Sequence, residues 1–131
     1  MPQLGPPVPL WSFCILLVAM ALKHYAADFL LQTSWMARGK ERREGWLAPL
    51  AAHVLCHAGF TLVIVLLVAP RLWWLALVDM GLHAPIDRGK TLIARRGGWD
   101  AQRVEFWWLI GFDQLLHQIT NIALVAALYV L

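Results

Sequence analysis

All five histidines of this chain stand four residues from another histidine or from an aspartate: His24 with Asp28, His53 with His57, His83 with Asp87, and His117 with Asp113. Residues four apart lie on one helix face about a turn from each other, so each pair makes a short polar stripe. Imidazole and carboxylate are the donors of divalent metal sites, and such pairs converging from several helices build metal centres in bundle cores. Five imidazoles and three carboxylates exceed what one tetrahedral ion takes, which suits one or two ions with open positions for water or substrate. The N/O donor set favours zinc, with iron or manganese as competitors. A haem held by two histidines would leave the aspartates unexplained. Cys14 and Cys56 are the only cysteines, which argues against an iron-sulfur centre, and their different depths argue against a disulfide.

The elements that must carry these stripes are apolar. Of 131 residues, 60% are hydrophobic and 15% charged, more apolar than a water-soluble domain of this size. The stretches between charge clusters give four spans, about 10–31, 46–69, 72–93 and 106–131, each long enough at ~1.5 Å per residue to cross a hydrocarbon core of ~30 Å. The expected architecture is therefore all-α: a polytopic four-transmembrane-helix bundle forming one membrane domain over 1–131, with the lipid bilayer as its constant partner. No room is left for a soluble catalytic or nucleic-acid-binding domain.

Nine of the eleven positive residues lie in two groups: Arg38, Lys40, Arg42 and Arg43, and Arg88, Lys90, Arg95, Arg96 and Arg103. The positive-inside rule puts both groups in the cytoplasm and both termini outside. No Lys or Arg precedes the first apolar run, unlike a secretory signal, so span one is expected to be retained. Tryptophans 11, 35, 46, 73, 74, 107 and 108 flank span ends, the headgroup level that indole prefers. Pro85, between His83 and Asp87, removes a helical hydrogen bond and predicts a bent or unwound inner end to span three.

Counting residues from the cytoplasmic ends puts all four pairs in the same half of the bilayer, within about two helical turns of a common level. The spacing H-x3-D-x24-H-x3-H over spans one and two returns as H-x3-D-x25-D-x3-H over spans three and four, which predicts two pseudo-repeated hairpins around a shared centre. Intramembrane His and Asp also serve as interhelical hydrogen bonds, or as a proton relay. Three carboxylates in hydrocarbon, however, are costly without a neutralising cation.

Other polar residues extend the stripes. Asp79 stands four residues before His83 and is positioned either to orient that imidazole or to bond within the bundle. Gln32, Gln114, Gln118 and Asn121 continue the stripes of spans one and four, and Lys23 is expected to face away from Asp28 or to snorkel. Arg88 and Lys90, just beyond Asp87, are the candidates for binding an anionic lipid or phosphoester substrate.

The ordered segments HYAADFLLQ, HVLCH, HAPID and FDQLLH resemble the bacterial and phage membrane family catalogued as domain of unknown function 3307, from span one to span four. That resemblance implies a membrane fold and this residue pattern, in a bacterial inner membrane, without an activity. The two H-x3-D elements are locally similar to those of zinc-dependent phospholipase C and single-strand nuclease families and of predicted membrane-bound metal-dependent hydrolases. The functional expectation is a metal-dependent hydrolase of a lipid-like or phosphoester substrate, with Asp28 and Asp87 as catalytic carboxylates. A small metal-ion transporter or channel is the alternative, and a non-catalytic assembly protein with a structural His/Asp network is a third. A homo-oligomer is compatible with each.

Overall fold

The computed structural model describes residues 7–131, and among these the secondary structure is entirely helical. Helix α1 (Leu10–Tyr25) runs into a single π-helical turn, Ala26–Leu30, in which the Leu31 amide bonds the Ala26 carbonyl five residues back at 2.9 Å. Helix α2 (Ser34–Gly39) starts at Thr33, whose hydroxyl accepts the Met36 amide. Helices α3 (Leu47–Val68) and α4 (Leu75–Gly97) are joined by a 3-10 turn over Pro70–Leu72, and α5 (Val104–Val130) completes the chain. The short α2 lies where a plain basic loop was expected.

The four long helices close a ring, with α1 and α4 each packed against both α3 and α5. The buried face of α3 recurs every four residues: Leu50 and Val54 alternate with His53, His57, Thr61 and Val65 along one stripe. At the Pro70 end the ring is filled by Leu16, Met20, Val65, Leu72, Leu75, Leu124 and Val125. Toward the other end the filling is polar and charged. The outer surface is the reverse: Leu22, Leu55, Leu77, Leu82, Phe112, Leu115, Ile119 and Ile122 are exposed and lie on all four long helices. An interior more polar than the surface inverts the pattern of a water-soluble bundle.

By length and composition, two helical segments are apolar enough to cross a membrane, Leu10–Leu30 and Leu47–Val68. One expectation needs correction. Helix α4 is continuous through Pro85, with no unwound inner end. It stops instead at Gly98, which takes a left-handed φ of 62° and closes a Schellman cap: the Gly98 amide bonds Arg95 O and the Trp99 amide bonds Ala94 O.

Candidate metal centre

Each long helix brings its pair to the same level of the ring. His24, His53, His57, His83, Asp87, Asp113 and His117 are all buried, and the Asp28 side chain keeps 14% of its exposure. Asp28 and Asp87 are the two hubs. Around Asp28 stand His24 Nε2 at 3.0 Å, His57 Nε2 at 2.9 Å and His53 Nε2 at 3.3 Å. Around Asp87 stand His117 Nε2 at 3.0 Å, His53 Nε2 at 3.3 Å and His83 Nε2 at 3.8 Å. Corresponding contacts recur in the two hairpins: the aspartate of the π turn after α1 meets the second histidine of α3, and the aspartate of α4 meets the histidine of α5.

Donor atoms of Asp28, His53, His57 and His83 lie within 4.8 Å of one another, as do those of His83, Asp87 and His117. His83 belongs to both groups. Its ring lies between those of His57 and His117, tilted to each, with centroids 3.9 and 4.1 Å away. One Nε2 carries one lone pair, so His83 can serve only one of two ions at a time. Two expected ligands stand beside these groups rather than in them. His24 reaches Asp28 and, at 3.1 Å, Gln114 Oε1; Asp113 Oδ1 is 3.6 Å from His117 and Asp113 Oδ2 is 3.6 Å from Lys90.

The hydrogen bonding is incomplete. His53 Nε2 lies near both hub carboxylates without an aligned bond to either, and His83 Nε2 and Asp113 Oδ1 are likewise without a hydrogen-bond partner. A buried network left this way forfeits the solvation of each group without recovering it. A cation among these atoms would satisfy several at once, and the N/O donors fit a divalent ion.

Two lysines enter the polar interior. Lys40 Nζ lies 2.7 Å from Asp87 Oδ2, and Lys23 Nζ lies 2.6 Å from Asp79 Oδ2, which also accepts the Thr61 hydroxyl. Lys23 therefore does not snorkel, and Asp79 serves this pair rather than orienting His83. The position of Lys40 follows from α2. Gly39 packs so closely on the Pro49 ring that a Cβ there would overlap it, and this approach of α2 to α3 carries the next residue inward. A glycine before a lysine, with a proline ten residues on, was the available signal; in sequence the lysine reads as one more loop charge.

Arg88 does not join the cluster. Its Nη1 donates to the carbonyls of Lys40 and Arg42, and its guanidinium stacks on Trp46 with 4.3 Å from Cζ to the ring centroid. Arg95 similarly donates to the Glu41 carbonyl, so the two arginines hold down the segment bearing Lys40. Lys90 remains at the site, on the wall of a cavity of about 180 Å³ that Asp28, Gln32, Lys40, Asp87 and Gln114 also line.

Residues 16–131 match the model of the family described as "Protein of unknown function (DUF3307)". The chain belongs to that family. All eight clustered His and Asp residues fall within the matched segment, as do Lys23 and Lys40. No curated protein matches the chain, and no solved structure does.

Proposed function

We propose that this DUF3307 protein is a four-span bundle of the bacterial inner membrane and a metal-dependent hydrolase of a lipid-like or phosphoester substrate near the cytoplasmic face. The carrying observation is the convergence of five inward-facing Nε2 atoms on two carboxylates, with part of that set unbonded. For the membrane reading, the support is the apolar exterior of α4 and α5 as well as of α1 and α3, around a charged interior. With the Arg38–Arg43 and Arg88–Arg103 segments cytoplasmic and both termini outside, the cavity at Lys40 and Lys90 opens toward the cytoplasm.

Asp28, His53 and His57 would hold one ion and Asp87 and His117 a second, with His83 on either; zinc suits the donors, with iron or manganese as alternatives. Such an ion supplies Lewis-acid chemistry and lowers the pKa of water bound to it. His57 and His117 donate Nε2–H to the hub aspartates in this arrangement, so loading displaces those protons. Lys40 and Lys90 bring positive charge to the cavity in which an anionic substrate would lie. With a single ion bound, the hub aspartate of the other group would be free to take a proton from water.

The apolar plug of Leu16, Met20, Val65 and Leu124 at the far end favours hydrolysis over transport, since a conducting path needs polar lining on both sides. Elemental analysis of purified protein is expected to find one or two divalent ions per chain. Chelation should abolish hydrolysis of a phosphoester or lipid panel, readdition should restore it, and Asp28→Asn and Asp87→Asn should lower it. Metal flux into liposomes without turnover would select the transporter. A metal-free protein unchanged by chelator would select the assembly role.

A further inference from the structure

Lys90 borders three cavities. One is the polar cavity beside the hub aspartates. The second, about 250 Å³, is an apolar groove on the outside of the α4–α5 seam, walled by Pro85, Gly89, Ile93, Leu109, Phe112 and Leu116. The third, about 200 Å³, continues the seam toward the basic segments and is lined by Glu41, Lys90, Thr91, Arg95, Trp99 and Phe106. From Pro85 to Ile93 the apolar groove runs about 12 Å at ~1.5 Å per residue. An apolar trough that ends on two cations and an indole has the layout of a site for an amphiphile, with its chain along the seam and its head at the interface.

We infer that the α4–α5 seam binds a membrane lipid with an anionic phosphate head, its acyl chain in the groove between Gly89 and Phe112 and its head on Lys90 and Arg95. Charge decides the sign of the head: Lys90 and Arg95 outnumber Glu41 in that third cavity, and Arg95 uses one guanidinium nitrogen on the Glu41 carbonyl, leaving others to donate. Geometry decides the consequence. Lys90 Nζ is 3.6 Å from Asp113 Oδ2, and Asp113 lines both the groove and the polar cavity, so a head held on Lys90 is one side chain away from the histidine cluster. The inference rests on the hydrolase reading for its meaning, as the route by which a lipid-like substrate arrives from the bilayer. The binding itself involves no proposed metal ligand, Asp113 at the shared wall standing outside both donor groups.

The test is photolabelling of the full chain in dodecyl maltoside micelles with a diazirine-bearing alkyl phosphate, mapped by mass spectrometry, on chelated and on zinc-treated protein. Labels are expected at Ile93, Leu109 and Phe112, competed by dodecyl phosphate but by neither inorganic phosphate nor excess dodecyl maltoside. Lys90→Ala should cut labelling about tenfold, the loss of one charge-assisted contact. Gly89→Leu, whose side chain enters open groove space and meets no neighbour within 4 Å at its Cβ, should block labelling while the protein keeps its helicity. Labelling spread over the exposed faces of α3 and α5, or insensitive to both variants, overturns the site. Metal-binding protein without seam labelling defeats this inference alone; seam labelling in protein that binds none of zinc, iron or manganese sustains the lipid site and defeats the hydrolase reading.

Discussion

Two buried lysine–aspartate pairs sit in one bundle with nearly the same geometry, 2.6 Å for Lys23–Asp79 and 2.7 Å for Lys40–Asp87, and their surroundings separate them. The first is closed: both side chains keep 2% exposure, the remaining partner is the Thr61 hydroxyl, and no imidazole approaches. The second faces a cavity, and Asp87 is shared with His53, His83 and His117. Lys23 is carried by a long helix, whereas Lys40 follows a helix of six residues. A sealed pair cross-links helices. A pair beside unbonded imidazoles leaves room for another cation to take the lysine's place.

The largest expected effect tests the sealed pair. Lys23→Met leaves buried Asp79 without its partner and should cost about 3–5 kcal/mol in thermal or denaturant unfolding, while Lys23→Met with Asp79→Leu should recover most of it, because an apolar pair is no worse than a buried ion pair. Lys40→Met should behave differently, losing less stability and binding zinc more tightly by titration calorimetry, since the ammonium that competes for Asp87 is gone. If Lys40→Met weakens zinc binding, the lysine is supporting the site and the distinction between the pairs fails.

Next in size is His24→Ala. His24 touches Asp28 and Gln114 from outside the ligand groups, and loss of such an orienting partner typically lowers metal affinity by about 10–100-fold. Calorimetry on the folded variant distinguishes this from an unchanged affinity, which would make His24 only a packing residue. Gly39→Ala should cost about 1–3 kcal/mol, the range for overpacking, as the new methyl overlaps Pro49. It should also displace α2 and thereby reproduce part of the Lys40→Met gain in zinc affinity.

The smallest effect lies at the surface. Arg103 Nη2 and Glu105 Oε1 are 2.8 Å apart at the surface, Arg103 exposed and Glu105 partly so; this contact holds the Glu105 carboxyl below its usual range. A depressed carboxyl contributes stability above its unfolded pKa and loses it as pH falls through the folded value. Solvent and salt screen the pair, so Glu105→Gln should leave unfolding at neutral pH unchanged within error. A measurable loss would give this surface pair a role beyond its own contact.

The two classes of interior residue differ in how well the chain advertises them. The His and Asp stripes were legible because helical periodicity and depth along a span are linear in residue number, so spacing alone brought four pairs to one level. The helical class and the family resemblance were legible for the same reason. Lys23 and Lys40 were not, because a cation near a span end satisfies snorkelling and the positive-inside rule equally well, and only packing reveals a buried carboxylate at its tip. Helix α2 escaped because six residues carry no periodicity to detect. Pro85 misled because the rule counts the lost hydrogen bond, while the rest of the ladder keeps α4 helical through it.

The π turn at Ala26–Leu30 gives this segment an unusual tolerance to one change in length. It accommodates one residue more than an α-helix would over the same rise. A chain shortened by one alanine at position 26 or 27 would close the turn into ordinary α-helix, and Thr33 would still start α2 where Gly39 meets Pro49. Only residues inside the turn would change register, so Asp28 would be displaced from the three imidazoles it now serves. A single deletion within AADFL should therefore leave the bundle folded while emptying the site, whereas one in α3, α-helical throughout, should turn the rest of that helix by about 100°.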